Sequence, residues 1–196
     1  MALPLQSTSR DRAKADRRES LLRAAARLFA ERGFNGASTE DIGAAAGVSG
    51  PAMYRHFESK QAMLAAILVG VSEGLLEGGR EVVADAGSDA EALEALVRFH
   101  VAFALGNADV IRVQDRDLDS LAEADRHAVR SLQRGYVELW VEVLGRIHPS
   151  VDAAVLRTGA HAAFGLINST PHNAVTRGAG AVLERMALAG LEALAG

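Results

Sequence analysis

The sequence predicts an all-α protein of about nine helices, in which a small N-terminal three-helix unit precedes a larger helical domain. Ala, Leu, Glu and Arg dominate the 196 residues, and only four prolines interrupt them. Apolar residues recur every three or four positions, the spacing of one helix face, whereas β-branched alternation is nearly absent. The apolar share of 49% and the charged share of 23% are typical of a folded globular protein.

The N-terminal region begins with one long predicted helix. The helix runs from about residue 11 to residue 32, and Gly33 supplies a C-terminal stop. The first nine residues, which include Pro4 and a Ser/Thr cluster, are predicted to form a loose arm. The apolar face of the helix comprises Leu21, Leu22, Ala25, Leu28 and Phe29.

Two short helices are predicted next, at residues 38–46 and 49–57, joined by Gly47-Val48. Ser38 and Ser49 are placed to cap them, and Pro51 falls in a first turn, where its missing N–H costs nothing. Two helices of about two turns each, joined by a tight glycine turn, have the spacing of a helix-turn-helix.

The two faces of this motif have different tasks. The second helix must present its N-terminal front to base edges, while apolar residues hold its back against the domain. We expect the back to comprise Ile42, Ala45, Val48, Met53 and Phe57. We expect the front to comprise Gly50, Pro51, Ala52, Arg55 and His56.

The remaining two thirds are predicted to be helical throughout. Ser59 can cap a helix from residue 60 to about 76, which Gly78-Gly79 would end, and Asp89 can cap the next helix. A short segment at 109–119 and a long helix at about 121–147 precede Pro149. The last two helices are expected at about 151–168 and 174–194.

Charge divides the chain into two parts. Residues 1–66 carry ten Lys/Arg against seven Asp/Glu, a net charge of +3, whereas residues 67–196 carry eleven against eighteen, a net charge of −7. The whole-chain charge of −4 argues against a nucleic-acid partner, because nucleic-acid-binding domains are usually basic. The uneven distribution reverses that conclusion for the first third and predicts two parts with different partners.

Several protein classes are excluded by composition. The chain has no cysteine, which removes disulfides, thiolate zinc sites and cysteine nucleophiles and fits a reducing compartment. The longest uncharged apolar run, Ala62 to Val71, is shorter than the ~20 residues that span a bilayer. The first ten residues do not have the pattern of a signal peptide. We therefore expect a cytoplasmic protein with no membrane partner.

Enzyme and metal motifs are also lacking. No dinucleotide-binding G-x-G-x-x-G and no phosphate-loop lysine motif occurs. The six histidines never stand in an H-x₃-H or H-E-x-x-H arrangement. These observations predict a protein that is not an enzyme and holds no cofactor or metal.

The stretch from Leu21 to Leu64 resembles the DNA-binding signature of the tetracycline-repressor (TetR) family of bacterial transcriptional regulators. The resemblance covers roughly a quarter of the chain. It implies a helix-turn-helix DNA-binding domain at 1–66 joined to a ligand-binding and dimerisation domain at 67–196. The residues that carry the resemblance are Gly33-Phe34, Ser38-Thr39, Asp41-Ile42, Ala46-Gly47-Val48-Ser49, Tyr54, His56-Phe57 and Ser59-Lys60.

By this resemblance, individual residues take DNA-binding roles. Thr39 and Lys60 match phosphate contacts, Ser49 matches the cap of the recognition helix, and Tyr54 and His56 match backbone contacts. Lys60 stands at a helix N-terminus, where phosphate is independently favoured. The side chain best suited to a base contact is Arg55, because a guanidinium reaches guanine O6 and N7 together.

The front of the recognition helix departs from the family pattern at Gly50, where a long polar residue is common. With Ala52 also small, we expect base recognition to depend on Arg55, thymine methyl contacts and DNA shape. Phe57 is expected in the core, and Tyr54 either in the core or on DNA. The basic run Arg10, Arg12, Lys14, Arg17 and Arg18 either forms a solvated helix face or follows phosphates.

The last two predicted helices are rich in small and apolar residues. Such faces pack either inside one chain or across a two-fold axis, and the resemblance implies a homodimer through helices at about 151–168 and 174–194. A dimer places two recognition helices about one duplex turn apart on a pseudo-palindromic operator in double-stranded DNA. The residues of this expected face are Ala153, Ala154, Leu156, Ala160, Ala163, Phe164, Ile167, Ala181, Val182, Leu183, Met186, Leu188, Leu191 and Leu194.

A cavity for a small-molecule effector is expected among the middle helices. Arg112 and Arg116, four residues apart, either hold a ligand anion or pair with nearby Asp residues at the surface. Aromatic residues at helical spacing form either an ordinary core or the wall of such a cavity. The candidate wall residues are Phe99, His100, Phe103, Tyr136, Trp140, Phe164 and Asn168.

The effector is expected to be hydrophobic. The loop from Asn168 to His172 resembles a stretch of regulators of acyl or lipid metabolism, which implies an acyl-CoA-like molecule. The prediction is therefore a ligand-responsive DNA-binding regulator, a repressor that its effector releases. The alternative is a helical small-molecule-binding protein or enzyme whose helix-turn-helix is incidental.

Overall fold

A computed structural model describes residues 9–170 and 177–195, without the side chains of residues 9–11, 50, 51 and 195. Over these residues the ordered elements are all helical, as predicted. They are α1 (Ser9–Arg32), α2 (Thr39–Ala45), α3 (Gly50–Met53), α4 (Lys60–Ala84), α5 (Asp89–Gly106), α6 (Ala108–Asp117), a 3₁₀ turn (Leu118–Ser120), α7 (Glu123–Ile147), α8 (Ala153–Ile167), α9 (Ala179–Glu192) and a last 3₁₀ turn (Ala193–Ala195).

The N-terminal helices enclose a core of their own, here called the head core. Leu21, Ala25 and Phe29 of α1 are fully buried and pack with Ile42 of α2 and with the first turns of α4. Side chains from α6 and α7 complete this core from outside the head. The head is therefore packed directly against the larger domain.

Two glycines shape the connections within the head. Gly33 has a φ of +80° and ends α1, and Gly47 has a φ of +65° between α2 and α3, so both occupy the left-handed region that glycine tolerates. Gly43 is needed for a different reason, because an added Cβ would lie 2.8 Å from the Val48 carbonyl oxygen. Ser38 caps α2 as predicted, and its side chain accepts the Asp41 N–H at 3.0 Å.

The larger domain encloses a second core, here called the body core, formed by α4 to α9. α4 is longer than predicted, because Gly78 and Gly79 do not end it. An added Cβ would lie 2.5 Å from the Phe99 ring at Gly78 and 2.6 Å from the Tyr136 ring at Gly79. The two glycines serve close packing between helices rather than termination.

Further differences concern helix ends. Ser88, not Asp89, caps α5, since its side chain accepts the Glu91 N–H at 3.2 Å. α3 is shorter than predicted and ends at Met53, followed by a tight turn in which His56 N–H donates to the Met53 carbonyl. The start predicted for the last helix, at residue 174, lies outside the described residues.

α4 crosses the predicted domain boundary at residue 66 without a break. It supplies Met63, Leu64 and Leu68 to the head core and Leu76 to the body core. By length and composition alone it is the one described helix that passes as a membrane span. Five of its apolar side chains are instead buried in the two cores, namely Met63, Leu64, Ile67, Leu68 and Leu76, and a core helix passes the same test.

Candidate DNA-binding surface and effector cavity

The end of the recognition segment presents two large side chains to solvent. Tyr54 is 54% exposed and Arg55 is also exposed, whereas Met53 and Phe57 on either side are buried in the head core. Tyr54 is therefore not a core residue, and Phe57 is one, as expected. Because Arg55 follows α3 in a turn, its guanidinium extends from the end of the short helix.

Other predicted front residues are less defined. Ser49 is exposed and Ala52 half-buried, and the Ser49 carbonyl accepts the Met53 N–H at 3.0 Å. Of Gly50 and Pro51 the structure describes only the backbone, which lies in α3. Ala45 is exposed, so its prediction as part of the apolar back was wrong.

Basic residues of α1 lie on the same side of the head as the recognition segment. The pKa of His56 is lowered mainly by burial. It is lowered further by four nearby positive charges, those of Lys14, Arg17, Arg55 and Arg18. The Arg18 guanidinium also lies 4.8 Å from the centre of the Phe57 ring. The head thus has an electropositive surface that joins α1 to the end of α3, a suitable surface for phosphates.

Lys60 has a structural role that the sequence did not reveal. Its ammonium donates to the Phe34 carbonyl at 2.7 Å and the Ala37 carbonyl at 2.9 Å, and it lies 4.5 Å from the centre of the Phe34 ring. Lys60 therefore ties the α1–α2 connection to the start of α4. Thr39, the other predicted phosphate contact, begins α2 and donates to Glu40 at 3.1 Å.

A cavity of about 220 Å³ opens among the middle helices. It brings together five of the seven predicted wall residues: His100, Phe103, Tyr136, Phe164 and Asn168. The sequence did not point to the polar residues that also line it. These are Ser72, Gln114, Gln133 and His161.

The deep wall of the cavity holds a fixed hydrogen-bond network around His100. Asn168 Oδ1 lies 3.2 Å from Nε2 and can only accept, so the neutral ring donates from Nε2, and Nδ1 then accepts from the Tyr136 hydroxyl at 3.4 Å. Burial lowers the pKa of His100 to about 4, although the bond to Asn168 opposes this shift. Burial also raises the pKa of Tyr136. Both groups are thus neutral at physiological pH.

Two predicted wall residues, Phe99 and Trp140, do not line the cavity, and neither does Arg112, the predicted anion contact. The Phe99 ring packs against Gly78 of α4. Trp140 is fully buried behind the wall, 4.8 Å from the Phe164 ring centre, and its Nε1 has no hydrogen-bond partner among the described residues. Arg112 is exposed and pairs with Asp109 at 3.4 Å, the surface alternative rather than the ligand contact.

Arg116 lies on α6 but points away from the cavity toward the head. Its guanidinium donates to the backbone carbonyls of Phe29 and Ala30 at the end of α1 and to the buried Asp117 carboxylate. Both carbonyls belong to the last turn of α1. The Phe29 carbonyl also accepts the Gly33 N–H at 2.8 Å, so Arg116 adds a second hydrogen bond to it. Arg116 is therefore a connection between the two domains.

One motif typical of hydrolases occurs in the chain without the geometry of a catalytic site. Residues 70–74 read Gly-Val-Ser-Glu-Gly, which matches G-x-S-x-G. That motif requires a sharp strand-to-helix turn, but these residues lie inside α4, and the buried Ser72 hydroxyl donates to the Leu68 carbonyl at 2.7 Å. Within the described residues, no group of three or more His, Asp or Glu side chains could hold a metal ion.

α8 and α9 bury one face and expose another. Leu156, Ala160, Ala163, Ile167 and Leu191 of the expected dimer face belong to the body core, because they pack inside this chain. The exposed face instead forms a shallow apolar groove. This groove is lined by Val155, Thr158, Gly159, Ala162, Ala163, Leu166, Met186, Ala187, Gly190, Leu191 and Leu194.

The loop that carried the acyl or lipid resemblance is described only in part. Asn168 is half-buried at the cavity, and Thr170 is buried. Pro171 and His172 lie outside the described residues.

Comparisons with known proteins agree with both domains. A family model described as bacterial regulatory proteins of the tetR family matches residues 21–67. A second, described as a tetracyclin repressor-like C-terminal domain, matches residues 86–172. Together they cover the helix-turn-helix and most of the cavity.

Relatives and solved structures support the same family. The HTH-type transcriptional repressor KstR2 of Rhodococcus jostii is 35% identical over 132 residues, which are 67% of this chain and 65% of that protein. KstR2 of Mycobacterium tuberculosis is 31% identical over 144 residues, 69% of this chain and 72% of that protein.

Among solved structures, a TetR-family regulator from Bordetella parapertussis has a TM-score of 0.78 at 25% identity, covering 90% of this chain and 93% of that one. The protein AibR has the same fold, with a TM-score of 0.71 at 22% identity over 87% and 97% of the two chains. The chain shares its fold with solved TetR-family regulators and has a helix-turn-helix with an exposed basic surface. Family models of both TetR domains match it. The chain belongs to the TetR family of bacterial transcriptional regulators, and it is a DNA-binding regulator rather than an enzyme.

Proposed function

We propose that this protein is a homodimeric repressor in the cytoplasm whose head binds a pseudo-palindromic operator until an acyl-CoA-like effector enters the cavity. One observation carries the proposal: α6 contributes to both the cavity and the head. Val110, Ile111 and Gln114 of this helix line the cavity, while Val113 lies in the head core. An effector that moves α6 therefore acts on the position of the head.

The direction of the response follows from differential binding. DNA selects the arrangement in which the two heads of a dimer match successive major grooves. An effector that prefers another position of α6 lowers DNA affinity by the difference between its affinities for the two arrangements. A cleft of about 520 Å³ between α1 and the α5–α6 connection leaves room for such a movement.

The DNA contacts of the proposal rest on the exposed side of the head. Arg55 reads bases, and Tyr54, His56, Thr39, Ser49 and the exposed cations Lys14, Arg17 and Arg18 contact the DNA backbone. Lys60 keeps one donor for a phosphate, since two of its three N–H groups serve carbonyls. The acidic body remains away from the DNA because phosphates repel it.

The effector class is supported by the cavity and by a structural relative. The cavity of about 220 Å³ lies below the roughly 300–1,000 Å³ typical of sites that enclose a whole drug-sized ligand. It therefore fits the acyl part of a thioester and leaves the coenzyme outside. AibR was crystallised with isovaleryl coenzyme A and operator DNA, which supports the same ligand class here.

The dimer is proposed through the exposed groove of α8 and α9. Val155, Val182 and Met186 are large apolar side chains exposed at about half of their surface. An apolar patch of this kind, on two adjacent helices, is typical of a protein interface. A second copy related by two-fold symmetry covers both grooves at once.

Mobility shifts with the DNA that flanks the gene test the whole proposal. We expect salt-dependent binding, loss of binding on addition of isovaleryl-CoA or a longer acyl-CoA, and no loss with free coenzyme A. Failure to bind the flanking DNA at low salt would contradict the DNA-binding role. Binding that no acyl-CoA weakens would contradict the effector class.

Sedimentation tests the dimer separately. We expect Met186→Glu to convert the dimer to monomers, because a carboxylate in an apolar interface loses its hydration without a partner. Glu94→Gln is the control, since Glu94 is exposed on α5, away from the groove. A Met186→Glu protein that sediments as the wild type does would contradict this interface.

A further inference from the structure

The described wall of the cavity combines apolar and polar side chains and has no carboxylate, ammonium or guanidinium group. None of its residues is Asp, Glu, Lys or Arg, yet seven of the thirteen have polar side chains. An ionised group on the buried part of a ligand would therefore have no counter-charge there, and burial of an unpaired charge is costly. The part of the effector that enters the cavity is therefore neutral and carries a group that can form hydrogen bonds with polar side chains.

Some hydrogen-bonding groups of the wall already have partners. His100 uses both ring nitrogens, on Tyr136 and Asn168, and the Ser72 hydroxyl donates to a carbonyl within α4. Asn168 Oδ1 accepts from His100, and the NH₂ group of Asn168 remains as a donor.

The amides of Gln114 and Gln133 and the imidazole of His161 have no hydrogen-bond partner among the described residues. His161 is exposed, whereas the two amides are half-buried and come from different helices, α6 and α7. Polar groups of this kind are hydrated until a ligand displaces the water. A ligand that displaces this water with methylene groups alone strands both amides, which costs affinity.

We propose that the cavity selects an oxygenated acyl group, one that carries a keto oxygen along its chain, and that Gln114 and Gln133 bind this oxygen. A keto oxygen only accepts, which suits the NH₂ donors of Gln114, Gln133 and Asn168. An acyl chain also suits the aromatic wall of Phe103 and Phe164. The proposal rests on the proposed function only in taking an acyl thioester as the ligand skeleton.

A hydrogen bond to Gln114 also connects the ligand directly to α6. Gln114 lies two residues before Arg116, which contacts the end of α1. A keto oxygen held between Gln114 on α6 and Gln133 on α7 therefore fixes the spacing of these two helices. A plain alkyl chain fills the cavity without this constraint.

Trp140 provides the readout for the test. It is the single tryptophan of the chain, it is fully buried, and its ring packs 4.8 Å from the cavity residue Phe164. Its fluorescence therefore reports occupancy of the cavity without DNA. The probes are the neutral N-acetylcysteamine thioester of octanoate and its 3-oxo, 5-oxo and 7-oxo derivatives, which move the oxygen along the chain.

We expect at least one oxo derivative to bind the wild-type protein about tenfold or more tightly than octanoyl thioester, the effect of satisfying one otherwise stranded amide. In Gln114→Leu or Gln133→Leu this advantage shrinks to near one, while the octanoyl thioester binds as well as before or better. Val137→Leu changes the wall but keeps both amides, so it should keep the advantage.

Three results overturn the proposal: no oxo derivative exceeds the octanoyl thioester, the advantage persists in both glutamine variants, or no thioester binds. The proposed function is judged by DNA release with coenzyme A esters and can fail separately. Release by plain and oxo esters alike would overturn only the keto preference. A keto preference in fluorescence without release of DNA would overturn only the effector role.

Discussion

The guanidinium of Arg116, on α6, donates a hydrogen bond to the backbone carbonyl of Phe29, 87 residues earlier in the chain. A second bond reaches the Ala30 carbonyl at 3.4 Å. The Phe29 carbonyl also accepts the Gly33 N–H at 2.8 Å, and the dipole of α1 favours a cation at this end of the helix. One side chain of the effector-binding domain thus caps the helix that supports the DNA-binding head.

We expect Arg116→Met to weaken communication between the cavity and DNA. The variant keeps the apolar stem but loses the donors, so unfolding free energy should fall by about 1 kcal/mol, a value reduced because the side chain is half exposed. The fold-change in DNA affinity on effector addition should also fall. Denaturant unfolding and mobility shifts with and without acyl-CoA measure the two effects.

Arg112→Met is the matched control on the same helix. Arg112 is exposed and pairs at the surface with Asp109, an interaction worth about 0.2–1 kcal/mol. The Arg112→Met variant should leave the fold-change in DNA affinity on effector addition unchanged. Equal responses in both variants and the wild type would show that Arg116 does not transmit the effect.

Lys60 should affect both stability and DNA binding. Its two hydrogen bonds to the Phe34 and Ala37 carbonyls involve a charged donor, so Lys60→Met should cost about 1–3 kcal/mol of unfolding free energy. If its third donor contacts a phosphate, the slope of log affinity against log salt falls by about one. Chemical denaturation and binding at several salt concentrations separate the roles. Unchanged stability would contradict the carbonyl contacts.

Arg55 should contribute to sequence preference. Arg55→Ala is expected to cost about 1–3 kcal/mol of binding to the operator and to relax the preference at one base pair. Arg98→Ala is the control, because Arg98 is exposed on α5 and pairs with Glu94 in the acidic domain. Gel shifts with matched and mismatched operators test the role. An Arg55→Ala protein that keeps the wild-type preference would exclude the base contact.

Gly79 should tolerate no side chain, in contrast to Gly74 on the same helix. An added Cβ at Gly79 would lie 2.6 Å from the Tyr136 ring and 3.1 Å from Leu139, whereas nothing lies within 4 Å at Gly74. In Gly79→Ala, overpacking should lower the free energy of unfolding by about 1–3 kcal/mol. The better helix propensity of alanine should offset up to about 1 kcal/mol of this loss. Gly74→Ala should gain up to about 1 kcal/mol. Thermal unfolding of the pair would refute the packing role of Gly79 if both variants gained stability.

The same glycines show what the sequence could and could not predict. Local signals sufficed for the all-helical class and for most helix ends. Gly33 and Gly47 act through their own backbone conformation, and the Ser38 side chain binds a backbone N–H only three residues away. The Gly78-Gly79 pair was misread as a helix end, since the rings that require it come from α5 and α7. Close packing between distant segments leaves no local signal.

The candidate sites divide in the same way. Motif spacing led to Tyr54 and Arg55, which are exposed as a DNA contact requires. Aromatic periodicity led to His100, Tyr136 and Phe164 at the cavity. It could not separate them from the core residue Trp140 or from Phe99, which packs against Gly78. Gln114 and Gln133 look like ordinary surface residues on amphipathic helices, and only the fold brings them to one cavity.

His100 should make stability depend on pH in a defined range. Its folded-state pKa of about 4 lies below the unfolded value of 6.5, so between these values the unfolded chain binds a proton that the folded protein does not. Stability from this group is therefore full above pH 6.5 and declines as the pH falls toward 4. The 2.5-unit difference corresponds to roughly 3 kcal/mol at most.

Urea unfolding at pH 7.0, ~5.5 and ~4.5 measures this loss. His100→Gln should be less stable than the wild type at pH 7, because the network with Tyr136 and Asn168 is altered. The His100→Gln variant should nevertheless lose less stability on acidification, because it has no buried imidazole whose protonation opposes folding. His127→Gln is the control, an exposed position on α7. Parallel losses in wild type and His100→Gln would mean that other groups govern the acid response.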